Sequence, residues 1–218
     1  MRGKLYGVGV GPGDPELLTV KAVKTIAMAD VIACPAKGNE PGHAYRIAEK
    51  AVPAINAREK LLLRFPMTKT RPEQEHLEAA EEIILQLEAG RNVAFLTLGD
   101  PGFYSTFFHI SGIITEKGYQ TEIISGVPSF CAVSAELMLP LAVGGENVLI
   151  SSGEYADFQG TQVIMKAGGR LKMLKEKIRS QGKTAFLVEN CCMEEERIYS
   201  GIDAIPDEAG YFSTLIVK

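Results

Sequence analysis

Tryptophan is absent, and the three histidines, His43, His76 and His109, stand too far apart to pair as metal ligands on a helix. The four cysteines, Cys34, Cys131, Cys191 and Cys192, include no pair with two residues between them. Neither a zinc-ribbon nor a dithiol redox motif can therefore be read, so reduced structural thiols and no metal are expected. No apolar run approaches the roughly 20 residues that a membrane-spanning helix needs. Met1-Arg2-Gly3-Lys4 leads straight into a strand pattern with no signal-like apolar segment, so a cytoplasmic protein with no membrane partner is expected. Net charge is −4, which gives no global basic field for nucleic acid, although Lys37, Arg46, Arg64, Lys69 and Arg71 fall in the first third.

What is present is a strand–helix alternation. Lys4–Val10 reads as a strand, and Thr19 caps a helix over about Val20–Ala29. Strands at Val31–Cys34, Leu61–Phe65, Val93–Thr97 and Glu122–Ile124 alternate with helical patterns at His43–Val52, Pro72–Gly90, Tyr104–Lys117 and Pro128–Leu137. The stretch Pro140–Glu146 breaks this rhythm. Beyond it come strands at Asn147–Ser151, Thr161–Lys166, Thr184–Glu189, Glu196–Ser200 and Tyr211–Val217, with one helix at Leu171–Gln181. Short turns between the last strands favour antiparallel pairing. The expected fold is α/β, with two α/β lobes of mixed sheet, residues 1–139 and 140–218.

Three glycine-bearing turns follow strands. Gly7-Val8-Gly9-Val10-Gly11-Pro12-Gly13-Asp14 is no Walker loop, because no Gly-Lys-Ser/Thr follows. It also misses the dinucleotide fingerprint: the required third glycine falls on Pro12 or on Asp14. Pro12 removes a backbone donor that a phosphate cradle would use, so a ligand without phosphate fits better. Leu98-Gly99-Asp100-Pro101 follows the apolar strand Val93–Thr97, and Ser125-Gly126-Val127-Pro128-Ser129 follows Glu122–Ile124. Taken singly, each is ordinary turn or cap chemistry. Together they place backbone at the carboxyl ends of strands, where open α/β sheets bind ligands. Lys166, at the end of the strand Thr161–Lys166, adds a cation to such a position.

In this order the motifs resemble the S-adenosylmethionine-dependent tetrapyrrole (corrin/porphyrin) methylases over essentially the full length. The matching residues are Gly9-Val10-Gly11-Pro12-Gly13-Asp14 with Leu17-Leu18-Thr19, Ala29-Asp30-Val31-Ile32, the Gly99-Asp100-Pro101 turn and Ser125-Gly126-Val127. Phe65-Pro66-Met67-Thr68, Leu98-Gly99-Asp100-Pro101, Tyr104-Ser105-Thr106-Phe107 and Tyr211–Val217 are similar to the precorrin-2/cobalt-factor II carbon-20 methyltransferases of cobalamin biosynthesis. Gly102 departs from that resemblance, which leads one to expect a more rigid residue before the aromatic.

The resemblance implies S-adenosylmethionine as methyl donor, S-adenosylhomocysteine as product, a cofactor cleft between the lobes and a homodimer. It implies cofactor contacts at Pro12, Leu98, Gly99, Asp100, Phe103, Pro128, Ser129, Met165 and Cys191. Asp100, Lys166 and Tyr211 are the candidates for substrate positioning or proton handling. The competing readings are a methylase of another ring carbon, a diphthine-forming or RNA-modifying member, and a non-catalytic S-adenosylmethionine-binding regulator. The low basic content disfavours RNA.

Overall fold

The computed structural model describes residues 1–65 and 72–218, so Pro66, Met67 and Thr68 of the expected signature lie outside the described residues. The chain divides into two compact units, Met1–Pro128 and Ser129–Lys218.

In the first unit, parallel strands β1 (Leu5–Gly9), β2 (Val31–Lys37), β4 (Glu59–Arg64), β5 (Val93–Thr97) and β6 (Thr121–Ile124) form the sheet. A two-residue strand, β3 (Glu40–Pro41), folds back on β2. The order is β3-β2-β5-β1-β6, with β4 paired to β2. Alternation along the strands supplies both faces. Ile32, Cys34, Ala94 and Leu96 pack with α1 (Val20–Met28) and α2 (His43–Ala51), while Val31, Ala33, Val93 and Phe95 pack with α3 (Pro72–Glu88) and α4 (Phe107–Glu116). The result is helices on both faces of a largely parallel sheet, whose central strands β1 and β5 are apolar on both sides.

Local chemistry sets the element ends. Thr19 accepts a hydrogen bond from the Ala22 amide at 3.1 Å and so caps α1. Glu122 on β6 pairs with Lys4 at 2.7 Å and Lys21 at 2.6 Å, clipping α1 to the sheet. Those hydrogen bonds, Lys21's first, hold its carboxyl down at about 2. The expected helix from Tyr104 instead begins at Phe107. Tyr104 sits at φ 50°, outside the helical region, and the Ser105 hydroxyl accepts from the Phe107 amide.

The second unit is a five-stranded mixed sheet, β10-β9-β11-β8-β7. Its strands are β7 (Val148–Ser152), β8 (Thr161–Met165), β9 (Ala185–Glu189), β10 (Arg197–Ser200) and β11 (Ser213–Val217). Only β7–β8 is parallel; the other pairings are antiparallel, as the short turns led one to expect. Helix α6 (Leu171–Ser180) covers one face through Leu171, Leu174 and Ile178. Helix α5 (Ser129–Glu136) packs against β11. The units therefore part at Pro128, ahead of α5, where the sequence pattern puts the break after Leu139.

Gly9, Gly99 and Gly126 meet backbone to backbone. A Cβ on Gly126 would lie 2.2 Å from the Gly99 carbonyl oxygen, and one on Gly9 would lie 2.6 Å from that same oxygen. Gly126→Ala is therefore expected to cost about 1–3 kcal/mol as overpacking against rigid backbone. Gly112→Ala, in α4 with nothing within 4 Å of its added carbon, is expected to gain about 0.5–1 kcal/mol. Urea unfolding of both variants checks the opposite signs; equal effects would show that the glycine contact is not what constrains residue 126.

Candidate functional site

The parallel sheet has one place where neighbouring strands send their chains to opposite faces. After β1 the chain passes to α1 on one face, and after β5 it passes to α4 on the other. β1 and β5 are paired from Leu5↔Val93 to Gly9↔Thr97, so their following loops diverge from one point. In open α/β sheets such a switch point forms the ligand crevice.

The sequence builds this point from bare backbone. The Val10 amide donates to the Thr97 carbonyl at 2.9 Å, and Gly99 and Gly11 exchange two hydrogen bonds of 2.7 and 3.2 Å. Gly11 at φ 76° and Gly99 at φ 72° adopt a left-handed conformation that a β-branched side chain resists. Pro12 and Gly99 are buried beside this ladder, and Leu98 and Asp100 are half-buried. Phe103, in the turn after Asp100, is exposed.

Asp100 has a defined local task. One carboxylate oxygen accepts from the Gly102 amide at 2.6 Å, and the other accepts from the Gly126 amide at 2.9 Å. A carboxylate accepting two backbone amides fixes both loops. Nearby, the Thr19 hydroxyl donates to the Ser125 carbonyl at 3.2 Å, bringing the start of α1 to the same junction. Asp14 of the first loop accepts from the Glu16 amide at 2.8 Å, which makes it a local cap. Pro128, half-buried, ends the unit just past this junction.

In the second unit one sheet edge gathers Met165, Lys166, Cys191 and Tyr211. β8 and β9 end where their antiparallel neighbour β11 begins, with Thr214 opposite Met165 and Ser213 opposite Glu189. The Ala167 amide donates to the Ser213 carbonyl at 3.0 Å, and the Asn190 amide to the Phe212 carbonyl at 2.9 Å. The Lys166 ammonium lies 5.5 Å from the centre of the Tyr211 ring, a cation–π distance. Lys166 stands just past β8 at φ 55°, and Asn190 and Cys192 have φ of 53° and 61°. Such left-handed non-glycine residues store strain, which clusters at functional sites. Ser129, the first residue of α5, is half-buried.

Cys191 is buried, and burial first, then the neighbouring Cys192 thiol, pushes its thiol well above the usual range. It offers a neutral, polarizable surface rather than a nucleophile. The strand ends of the first unit present backbone and proline, with one carboxylate already committed to amides. Those of the second unit present methionine and thiol groups beside the Lys166–Tyr211 pair. Two features lie beyond sequence reasoning: the backbone joint of Gly9, Gly99 and Gly126, and the pairing of Lys166 with Tyr211. Each joins residues distant in the chain, and no local pattern records their meeting.

The family model of the Tetrapyrrole (Corrin/Porphyrin) Methylases matches residues 4–202. A precorrin-2 C(20)-methyltransferase from a Sinorhizobium species is 32% identical, with 99% of this chain and 95% of the relative covered. A probable cobalt-precorrin-2 C(20)-methyltransferase from Methanocaldococcus jannaschii is 35% identical, with 99% and 96% covered. The fold is shared with the crystal structure of a uroporphyrin-III C-methyl transferase from Thermus thermophilus complexed with S-adenyl homocysteine. That likeness has a TM-score of 0.74 at 23% identity, covering 99% of this chain and 97% of the other. Matched by the family model across nearly its whole length, and aligned end to end with relatives above 30% identity, this chain belongs to the tetrapyrrole methylases.

Proposed function

We propose that this chain moves the methyl group of S-adenosylmethionine to carbon-20 of precorrin-2 or its cobalt-bearing counterpart in cobalamin biosynthesis. The observation that carries this reading is the end-to-end similarity, at 32% and 35% identity, to two relatives named for that reaction. The strand-end loops fit the cofactor by chemistry: Pro12, Leu98, Gly99 and Asp100 present backbone and apolar surface, and no Walker lysine stands among them. In this proposal those residues, with Phe103 and Pro128, contact the cofactor in the first unit, and Ser129, Met165 and Cys191 do so in the second.

S-adenosylmethionine supplies a methyl group on a sulfonium, already electrophilic. The new carbon–carbon bond forms as the carbon–sulfur bond breaks; its electron pair stays on sulfur, and the ring carbon then loses a proton. The protein's work is alignment and exclusion of water. Positive charge on sulfur diminishes toward the transition state, so a carboxylate bound tightly to it would favour the ground state. Asp100 satisfies this requirement because its two oxygens are turned to the Gly102 and Gly126 amides. We accordingly read Asp100 as a positioning residue that holds two cofactor loops together. Lys166 and Tyr211 remain the groups for substrate positioning, and the ammonium over the ring restricts both. A homodimer working in the cytoplasm completes the reading: two-fold dimers are the commonest soluble assembly, and the four cysteines are not joined in disulfides.

Calorimetry with S-adenosylhomocysteine is expected to show micromolar binding, about −8 kcal/mol. Turnover is expected with metal-free precorrin-2, with cobalt-factor II, or with both. Binding of a dinucleotide in place of the adenosyl ligand, or no turnover of either tetrapyrrole, would contradict the reading.

Asp100→Asn leaves one of two amides facing a donor, and is expected to cost about 1–3 kcal/mol of stability. Its remaining turnover should keep the wild-type pH profile. Unchanged melting with turnover abolished would instead give Asp100 a direct part in the chemistry.

Sedimentation at micromolar concentration is expected to give twice the 23.6 kDa chain mass; a monomer would contradict the dimer.

A further inference from the structure

The hairpin loop between β9 and β10 brings Cys192 and Glu196, which methyl transfer does not use, together with Cys191, read above as a cofactor contact. Among the described residues, Cys191, Cys192 and Glu196 bring one ligand atom each to within 4.8 Å of one another. We propose that these three residues form a binding site for a soft divalent cation of the zinc class.

The distances fit the ion. The two sulfurs are 3.7 Å apart. In a tetrahedral site with zinc–sulfur bonds of about 2.3 Å, two sulfurs on one ion stand about 3.8 Å apart. Adjacent cysteines do not ordinarily direct both side chains to one point. Here Cys192 has a φ of 61° and Asn190, on the other side of Cys191, a φ of 53°. These two left-handed residues turn the chain so that the sulfurs converge. Glu196 completes the group from the far end of the loop, its carboxylate oriented by accepting from the Cys192 amide at 2.6 Å. A ligand already oriented by a second hydrogen bond is the usual arrangement in protein metal sites.

The loop that carries them is closed before any ion arrives. Glu189 and Arg197 pair at its base, the Met193 amide donates to the Asn190 carbonyl at 2.9 Å, and the Asn190 side-chain amide donates to the Glu195 carbonyl at 3.2 Å. Little chain entropy is then lost on binding. Cys191 is buried while Cys192 and Glu196 are half-buried, so an ion would enter from their side and keep its fourth position for water or another small ligand. Two thiolates and a carboxylate select zinc or cadmium over magnesium and calcium, which take oxygen donors. Binding releases the two thiol protons to solvent, and no electron is transferred.

This site lies within one hairpin of the second unit, and its test does not depend on which ring carbon is methylated. The reduced full-length chain, stripped with a chelator, is titrated with cadmium alone while the sulfur-to-cadmium charge-transfer absorbance is followed, and zinc is then added as competitor. One equivalent of cadmium, displaced by zinc, is expected. Cys192→Ser and Glu196→Gln should each weaken binding at least about tenfold, and Cys131→Ser, at an exposed thiol outside the group, should leave it unchanged. Glu196→Gln keeps an oxygen for the Cys192 amide, so it decides the matter if Cys192→Ser fails to fold. Absence of the charge-transfer band in the wild type, or a titration in either loop variant that overlays the wild type, overturns the proposal.

Discussion

The structure of the first unit depends on the contact of three strand ends without side chains between them. β1, β5 and β6 are neighbours in a parallel sheet, and the loops that leave them converge where Gly9, Gly99 and Gly126 touch. Close approach leaves no room for water, so the amides there must find partners within the protein. Gly11 and Gly99 satisfy each other, and Asp100 takes the Gly126 amide together with that of Gly102. A single carboxylate thus joins two loops distant in sequence. Because β1 and β5 lead to helices on opposite faces, this tight joint also sits at the switch point where open α/β sheets bind ligands.

The second unit reaches a comparable result by different means. Its sheet is mostly antiparallel, so the ends of β8 and β9 meet the start of β11 at one edge. Left-handed backbone at Lys166, Asn190 and Cys192 turns side chains there that a plain strand would send to alternate faces. In both units the candidate site residues stand at or near strand ends, held by main-chain bonds that the core strands anchor. Substitution in the loops can alter ligand contacts while the strands keep their pairing.

Much of this was legible in the sequence. Strand and helix positions followed from apolar spacing, because the central strands β1 and β5 of the parallel sheet are buried on both faces and the helices bury one. The glycine-bearing turns were visible as breaks after apolar runs, and their order carried the family resemblance. Less legible was what depends on distant residues meeting. Asp100 reads as turn chemistry or as a catalytic acid until the Gly126 amide is seen beside it. Tyr104 looks helical by pattern, yet its left-handed backbone and the Ser105 hydroxyl, which accepts from the Phe107 amide, delay the helix to Phe107. The division before α5 was hidden because the pattern breaks only after that helix, whereas its packing on β11 decides the unit it joins. Cys191-Cys192 lacks metal-site spacing in sequence, and Glu196 joins the pair only through the turn of the hairpin.

Where the methyl group goes tests the account most directly. The purified chain is incubated with precorrin-2 and S-adenosylmethionine carrying carbon-13 in its methyl group, and the product is read by carbon NMR. The account predicts one labelled methyl, bonded to the bridging carbon-20. Label on any other ring carbon, or a tetrapyrrole left unlabelled while the cofactor remains bound, would contradict it.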